Sequence, residues 1–295
     1  HLQVQDVAAG SLALVGGDVL HLEVGQPGTA APDGVLAAAR AALDSHLIGY
    51  TDAMGMPTLR RRIAAHYAEW YGCEVDPRRI MASPSNPAGT MVGRAEMQAL
   101  VDYCRAAGIR LVSDEIYHGI CFEQPGVSAL ELTEEAVIIN SFSKYFSMTG
   151  WRLGWMVLPE DLLRAAECLG QNLFISAPCL SQIAGEAAFD CAPQLDGYVA
   201  AYGRNRALLL AELPKAGLDR LAPADGAFYI YADVSALTND SEDFCRRMLA
   251  EIGVAATPGI DFDPDRGHHF VRFSFAGRGA TMAEAARRLQ GWLKP

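Results

Sequence analysis

Two patterns of apolar and polar positions alternate along this chain. Short apolar runs predict strands, and apolar residues spaced three or four apart predict helices between them. Apolar runs with polar ends predict strands at 109–117 and 136–145, and a shorter run at 18–28 predicts a strand before a Gly/Pro turn. Apolar residues spaced three or four apart predict helices over 31–45, 56–72, 91–107, 181–213, 241–252 and 281–293. This order indicates an α/β fold with a mostly parallel sheet.

Two lobes are expected for a chain of 295 residues. The regular alternation of strands and helices predicts a large domain over 46–190, with helices on both sides of its sheet. The C-terminal third mixes long helices with short strands, which is typical of a smaller α+β lobe. We therefore predict a small domain that combines 1–45 with 191–295.

Polar side chains lie at the ends of the predicted strands. Ligands of parallel α/β sheets bind beyond the carboxyl ends of the strands, so these side chains are expected to share one site. They are Asn86, Asp114, Tyr117, Ser141, Ser143 and Lys144.

Charge and cysteine usage exclude several classes of function. The formal net charge of −11 disfavours nucleic acid and anionic membranes as partners. The seven cysteines are scattered and form no CxxC pair, so no metal site or disulfide framework is predicted, and a reducing, cytoplasmic location fits. No apolar run approaches the ~20 residues that span a bilayer.

Lysine is rare here, which makes one lysine a candidate for chemistry. The 24 Lys and Arg residues include only Lys144, Lys215 and Lys294. A buried lysine amine that loses its proton can form a Schiff base with an aldehyde. Lys144 follows an apolar strand and precedes Arg152 by eight positions, a setting that suits this chemistry.

If the aldehyde belongs to a pyridine phosphate, the neighbouring candidates could bind its other groups. Asp114 can keep a pyridine nitrogen protonated, while Tyr117 and Asn86 can donate hydrogen bonds to a ring oxygen. A phosphate needs cations and donors, which Arg152, Ser141 and Ser143 supply. A substrate carboxylate needs a separate guanidinium, and Arg272 on a strand of the second lobe offers one.

Four segments carry a resemblance, in matching order: "SPSNPAGT", "SDEIYHGI", "NSFSKYFSMTGWRLGW" and "FVRFSFA". They resemble the motifs of class I/II aminotransferases, which are fold-type I enzymes dependent on pyridoxal 5'-phosphate (PLP). The resemblance implies that Lys144 is the Schiff-base lysine and that Asp114 pairs with the pyridine nitrogen. It also implies that Ser141 and Arg152 bind the phosphate and that Arg272 binds the substrate α-carboxylate.

Further roles follow from the same resemblance. Gly25 would let its backbone approach the substrate, and the Asn86–Pro87 bond is a candidate for the cis form. Tyr50 is similar to a tyrosine that reaches the phosphate of the partner subunit, which implies a homodimer with shared active sites. The reaction implied is transfer of an amino group between an amino acid and a 2-oxo acid.

The chain departs from the family's pattern at one place. The family has a long segment before "SPSNPAGT" that includes a Gly/Ser loop around the phosphate and an aromatic residue on the ring. Here "DPRRI" runs almost directly into "MASPSNPAGT", so an internal gap is apparent near residues 80–81. Either the sequence omits a stretch that the protein has, or the protein truly lacks it, and a true loss would leave PLP weakly held.

Alternatives to transamination stay open at this point. A PLP-dependent C–S lyase could share the same fold and motifs, because a fold does not fix a reaction. A pseudoenzyme with an impaired cofactor site would follow from a true deletion. A sensor domain of a transcription regulator would need an attached DNA-binding domain, and the acidic charge disfavours it.

Overall fold

A computed structural model describes residues 19–45, 48–83 and 91–293. Its helices are α1 (Asp33–Ser45), α2 (Pro57–Tyr71), α3 (Arg94–Ala107), α4 (Glu160–Leu173), α5 (Cys179–Ala188), α6 (Ala192–Glu212), α7 (Ser241–Ile252) and α8 (Gly279–Leu293). Its strands are β1 (Leu20–His21), β2 (Ile80–Ser83), β3 (Val112–Asp114), β4 (Val137–Ser141), β5 (Gly154–Val157), β6 (Tyr229–Asp233), β7 (Val254–Ala255), β8 (Thr257–Pro258) and β9 (Phe270–Ser274). The mixed α/β composition agrees with the alternation seen in the sequence.

The chain divides into two compact units. Unit 1 takes its described residues from His1–Gly28 and Tyr198–Pro295, and unit 2 takes them from Thr29–Gly197. Helix α1, which the sequence assigns to the small domain, lies in unit 2 because it packs against α5. The backbone N–H of Asp33 also donates to Gln194 Oε1 in this unit, at 3.1 Å. The functional labels of the two domains stay predictions.

The sheet of unit 2 has the strand order β2-β5-β4-β3 among the described residues. Strands β3 and β4 are parallel, and Asp114 lies opposite Ile139. Strand β5 is antiparallel to both β2 and β4, so three of the four strands run in one direction. The carboxyl ends of β3 and β4 therefore lie side by side, as the predicted site requires.

An aromatic cluster fills the core of unit 2. Trp155 is completely buried on β5, and its indole N–H donates to the Tyr67 hydroxyl at 3.2 Å. Phe142 and Phe146 contact the same cluster, with ring centroids 5.0 Å apart. His66 is buried among these rings, and burial lowers its pKa to about 3. This histidine is therefore a neutral core residue.

Unit 1 contains the antiparallel sheet β6-β9-β8 and the parallel pair β1-β7. From Phe270 to Phe273 on β9 the side chains alternate between partly exposed and buried, because successive residues of a strand point to opposite faces. Val271 and Phe273 are fully buried, whereas Arg272 between them is partly exposed. The backbone register places Arg272 opposite Tyr231 on β6.

The sequence prediction of one helix over 181–213 is wrong. The structure has two helices there, because α5 ends at Ala188 and α6 begins at Ala192. Pro193 explains the break, since proline lacks the N–H that a helix interior needs and fits only in a first turn. Among the helices of the described part, none has the length and apolar character needed to cross a membrane.

Candidate active site

Lys144 lies in the tight turn that follows β4. The backbone N–H of Ser147 donates to the Lys144 carbonyl at 3.1 Å, and the N–H of Met148 donates to the Phe142 carbonyl at 3.0 Å. Ser147 adopts a left-handed conformation (φ 56°), and its hydroxyl donates to the Thr29 carbonyl at 3.2 Å. This turn holds the lysine where only 6% of it is exposed.

Asp114 is the last residue of β3, beside the end of β4. Its Oδ1 accepts a hydrogen bond from the backbone N–H of Ile116 at 3.2 Å. Although Asp114 counts as exposed by surface area, loss of water around its carboxylate raises its pKa. The Ile116 N–H and the positive charge of Lys144 both act in the opposite direction. Asp114 and Lys144 are therefore close enough to influence each other's charge.

Tyr117 completes the group at these two strand ends. The Lys144 Nζ lies 5.6 Å from the centroid of the Tyr117 ring. Tyr117 sits in the turn after β3, where its carbonyl accepts from the backbone N–H of Ile120 at 2.9 Å. The structure thus brings together an amine, a carboxylate and a phenol, as the sequence predicts.

The predicted phosphate ligands are only partly assembled. Ser141 Oγ accepts from the backbone N–H of Ser143 at 3.0 Å and donates to the Leu153 carbonyl at 3.2 Å. Both serines are buried beside Lys144. Arg152 is exposed, adopts a left-handed conformation, and its guanidinium donates to the Thr149 carbonyl at 3.0 Å. The serines therefore lie next to Lys144, whereas the Arg152 side chain is hydrogen-bonded to the turn that precedes it.

Tyr50 and Asn86 are the remaining predicted residues of the cofactor site. Tyr50 is 83% exposed, so its phenol lies on the surface of the single chain. The adjacent Thr51 is fixed, since its N–H donates to Ser176 Oγ at 3.2 Å and its hydroxyl accepts from Gln182 Nε2 at 2.8 Å. Asn86, with the predicted cis bond to Pro87, lies outside the described residues.

Gly25 and Arg272 lie together in unit 1. A Cβ built on Gly25 would come within 2.3 Å of the Tyr229 hydroxyl and 3.9 Å of Arg272 Nη2. Arg272 Nη2 also donates to the Glu23 carbonyl at 3.4 Å. The Gly25 backbone thus closely approaches the side chains around Arg272, which agrees with the need for a residue without a side chain at this position.

Sequence reasoning missed Glu115, the neighbour of Asp114. It is 1% exposed, and its Oε1 accepts from Ser113 Oγ at 3.1 Å and from the backbone N–H of Ala129 at 2.9 Å. Burial raises its pKa to about 7. The alternation of side chains along β3 could have indicated it, because a residue next to the polar Asp114 should point to the opposite, buried face.

His118 lies behind the same strand end. Its Nδ1 is 3.6 Å from Glu115 Oε2 and 2.9 Å from the Tyr71 hydroxyl. Burial lowers the pKa of His118 to about 4, so the ring is neutral at neutral pH. In the described ranges, no group of three or more His, Cys, Asp or Glu side chains is arranged to hold a metal ion.

The sequence of this chain matches one family model and several proteins of known name. Residues 79–289 match the sequence model of the family described as aminotransferase class I and II. A valine–pyruvate aminotransferase of Mycobacterium tuberculosis is 39% identical over 355 residues, covering 94% of this chain and 92% of that protein. An arginine–pyruvate transaminase of Pseudomonas aeruginosa is 33% identical over 232 residues, covering 75% of this chain and 58% of that protein.

A solved structure extends the similarity to the fold. The crystal structure of an aminotransferase from Mycobacterium tuberculosis superposes with a TM-score of 0.94 at 38% identity, covering 99% of this chain and 96% of that one. This similarity confirms the fold-type I architecture predicted from the sequence.

The alignment with the valine–pyruvate aminotransferase also bears on the apparent gap. The aligned region is 355 residues long. It includes 94% of the 295 residues of this chain, about 277, so about 78 of its positions have no counterpart here. The present sequence therefore lacks stretches of that total length relative to the valine–pyruvate aminotransferase. The sequence pattern places the break near residues 80–81.

Proposed function

Since the chain belongs to the class I and II aminotransferase family, we propose that it moves an amino group between an aliphatic amino acid and pyruvate with PLP as cofactor. The observation that carries the proposal is the buried Lys144 amine, set beside Tyr117 and within electrostatic reach of Asp114. Two of the aminotransferases similar to this chain have pyruvate in their names, and one of these has valine.

The residues present fit the reactive end of PLP. When bound, PLP supplies an aldehyde that reacts with amines and a protonated pyridine ring that withdraws electrons from the substrate. Lys144 provides a primary amine on a buried residue at the end of β4, the group that can bond to an aldehyde. Asp114 provides a carboxylate that can hold a proton on a ring nitrogen, and Tyr117 provides a phenol for a ring oxygen.

Lys144 has two tasks in this proposal. Its Nζ would hold the cofactor through the aldehyde group. Once the substrate amine has displaced it, the same Nζ would accept the proton from the substrate α-carbon and donate it back from the same side. Burial and the fixed turn keep Nζ near its target, which lowers the entropic cost of the proton transfer.

The remaining site residues bind and orient. Ser141, Ser143 and Arg152 are the proposed phosphate ligands, and Asn86 is a proposed donor to the ring oxygen. Two parallel hydrogen bonds from Arg272 would bind the α-carboxylate of the amino acid or oxo acid. Hydrogen bonds to charged groups contribute roughly 1.5–3 kcal/mol each, so these contacts suffice to orient a small substrate.

We further propose a cytoplasmic homodimer in which Tyr50 reaches the phosphate site of the partner. The high exposure of Tyr50 in the single chain supports this, because a large aromatic side chain on a fixed segment is typical of an interface. All seven cysteines are free, which supports a reducing compartment.

An intact-mass experiment tests the proposal directly. The protein is incubated with PLP, reduced with borohydride, and compared with Lys144→Ala and with Lys215→Ala. Lys215 is a matched control, because it is an exposed lysine paired with Glu212 at 2.6 Å. We expect one reduced PLP on the wild type and on Lys215→Ala, and none on Lys144→Ala. A wild-type chain that takes up no PLP would contradict the proposal and favour a pseudoenzyme with an impaired site.

A further inference from the structure

Two aromatic rings contact the guanidinium of Arg272 in unit 1. The guanidinium carbon lies 4.1 Å from the centroid of the Tyr229 ring and 4.2 Å from that of the Phe262 ring. We call Tyr229 and Phe262 the aromatic pair. Arginine stacks well on aromatic faces because its charge is delocalised and weakly hydrated.

The two rings differ in how they are held. Tyr229 is 8% exposed on β6, and its hydroxyl lies against the Gly25 backbone. Phe262 is 44% exposed and follows a short turn after β8. Tyr229 is therefore part of the packed sheet, whereas Phe262 is a surface residue whose large apolar ring the core does not require.

The segment that carries Phe262 is nevertheless fixed. The backbone N–H of Phe262 donates to the Gly259 carbonyl at 2.9 Å, and the N–H of Gly267 donates to the Asp263 carbonyl at 2.8 Å. Gly259 and Gly267 approach so closely that a Cβ on Gly259 would meet the Gly267 carbonyl oxygen at 2.5 Å. This close contact leaves the loop little freedom, so the Phe262 ring has a defined place against Arg272.

We propose that Phe262 is a positioning residue that keeps the Arg272 guanidinium oriented for a carboxylate, and that it thereby makes the enzyme selective for substrates with a free α-carboxylate. The inference rests on the proposed function, in which Arg272 binds that carboxylate. A long arginine side chain loses considerable rotamer freedom when it binds an anion. A ring against the guanidinium reduces that freedom beforehand and removes water from it, and both effects favour binding.

Kinetics of Phe262→Ala and Phe262→Tyr provide the first test. Each variant is assayed with L-valine and pyruvate, and with isovalerate and isovaleramide as inhibitors that differ only in the carboxylate. For Phe262→Ala we expect the KM for valine and the inhibition constant of isovalerate to rise about tenfold, with kcat nearly unchanged. The inhibition constant of the uncharged isovaleramide should stay the same in Phe262→Ala. The separate variant Phe262→Tyr keeps an aromatic ring and should have the wild-type values throughout.

Other outcomes would overturn the inference. An equal loss for isovalerate and isovaleramide, or a fall in kcat with KM unchanged, would mean that Phe262 acts only through packing. A thermal unfolding midpoint for each variant shows whether the fold is intact.

A second measurement separates this inference from the proposed function. Phenylglyoxal modifies arginine, and peptide mass spectrometry reports its rate at Arg272 with and without pyruvate. We expect pyruvate to protect Arg272 in the wild type and to protect it at least fivefold less in Phe262→Ala. Wild-type protein that turns over no valine would contradict the proposed function, and equal protection in both proteins would overturn the role of Phe262.

Discussion

The amine nitrogen of Lys144 lies 5.6 Å from the centre of the Tyr117 ring, although the two residues come from different turns. Tyr117 follows β3 and Lys144 follows β4, and these strands are parallel neighbours. Their turns therefore lie next to each other, at the carboxyl ends of the two strands. The pairing of the two strands is thus what assembles the reactive end of the site.

Replacing Asp114 by Asn should impair turnover and leave attachment of the cofactor possible. The amide oxygen can still accept from the Ile116 N–H, but the negative charge that we propose to pair with the ring nitrogen is lost. We expect kcat to fall by about 100-fold or more, since an aligned electrostatic contact contributes roughly 3 kcal/mol. The reduced adduct at Lys144 should still form. Asp102→Asn on the exposed face of α3 is the control, and an equal kcat for the two variants would refute the role of Asp114.

Glu115 should make stability depend on pH in a direction that can be measured. Its pKa rises from 4.5 to about 7 on folding, so the folded protein binds the proton more tightly. The resulting contribution of Glu115 to the free energy of unfolding is complete below about pH 4.5 and is lost as the pH rises to about 7. We therefore expect the wild type to lose about 2 to 3 kcal/mol of unfolding free energy relative to Glu115→Gln between about pH 5 and about pH 8.

The comparison with Glu115→Gln is needed because buried histidines act in the opposite direction. His66 and His118 have pKa values lowered to about 3 and about 4, so their contribution is lost as the pH falls below about 6.5. The burial that lowers both histidine pKa values is common to the two proteins, so these contributions largely cancel in the difference although His118 lies 3.6 Å from Glu115. Urea unfolding at the two pH values measures it, and a difference that does not change with pH would mean that Glu115 stays ionised.

Gly25→Ala should weaken substrate binding, and a second substitution should partly reverse the effect. The new Cβ would lie 2.3 Å from the Tyr229 hydroxyl, whereas the next nearest atom, Tyr229 Cζ, is at 3.4 Å. Overpacking of this kind costs about 1–3 kcal/mol, so we expect the KM for the amino acid to rise about tenfold. Tyr229→Phe removes the clashing oxygen and should recover much of the loss in the double variant.

A matched control for Gly25→Ala is Gly291→Ala. Apart from the neighbouring residues and backbone of its own helix, no atom lies within 4 Å of a Cβ at Gly291, which is in the last turn of α8. Its KM should stay at the wild-type value. If the effects of Gly25→Ala and Tyr229→Phe on KM simply add in the double variant, the proposed clash is contradicted.

The proposed dimer can be tested by mixing two inactive proteins. Lys144→Ala lacks the amine, and Tyr50→Ala lacks the phenol that we propose to reach the partner's phosphate site. A mixed dimer of the two has one complete site, so random reassortment should restore about a quarter of wild-type activity. The activity is measured after joint unfolding and refolding. A mixture that stays inactive while each variant refolds into dimers would exclude a shared site.

The sequence predicted the strand ends of unit 2 well, because local pattern decides them. The apolar run before Lys144 forms the largely buried β4, whereas only Val112–Asp114 of the predicted strand 109–117 forms β3, and Val112 is exposed. The break in the predicted helix 181–213 could also have been foreseen from Pro193, since proline seldom lies inside a helix.

Contacts between distant segments were beyond the sequence. Nothing near Arg272 in the chain indicates that Tyr229 and Phe262 contact its guanidinium, since they come from two other segments. The alternation along β3 could have indicated that Glu115 is buried, but not its hydrogen bond from Ala129, which belongs to a separate loop. The roles of the site residues themselves stay predictions.

The position of Asp114 has a consequence for how the protein retains its cofactor. Strand β3 is one of the two edge strands of the described sheet of unit 2, and Val112 on it is 55% exposed. Strands at a sheet edge open by local fluctuations that need less free energy than global unfolding, and their amide hydrogens exchange early. Opening of β3 would move Asp114, the proposed partner of the ring nitrogen, away while the aromatic core stays closed. Cofactor retention on warming is thus expected to follow amide exchange at this edge strand, ahead of the loss of helical signal.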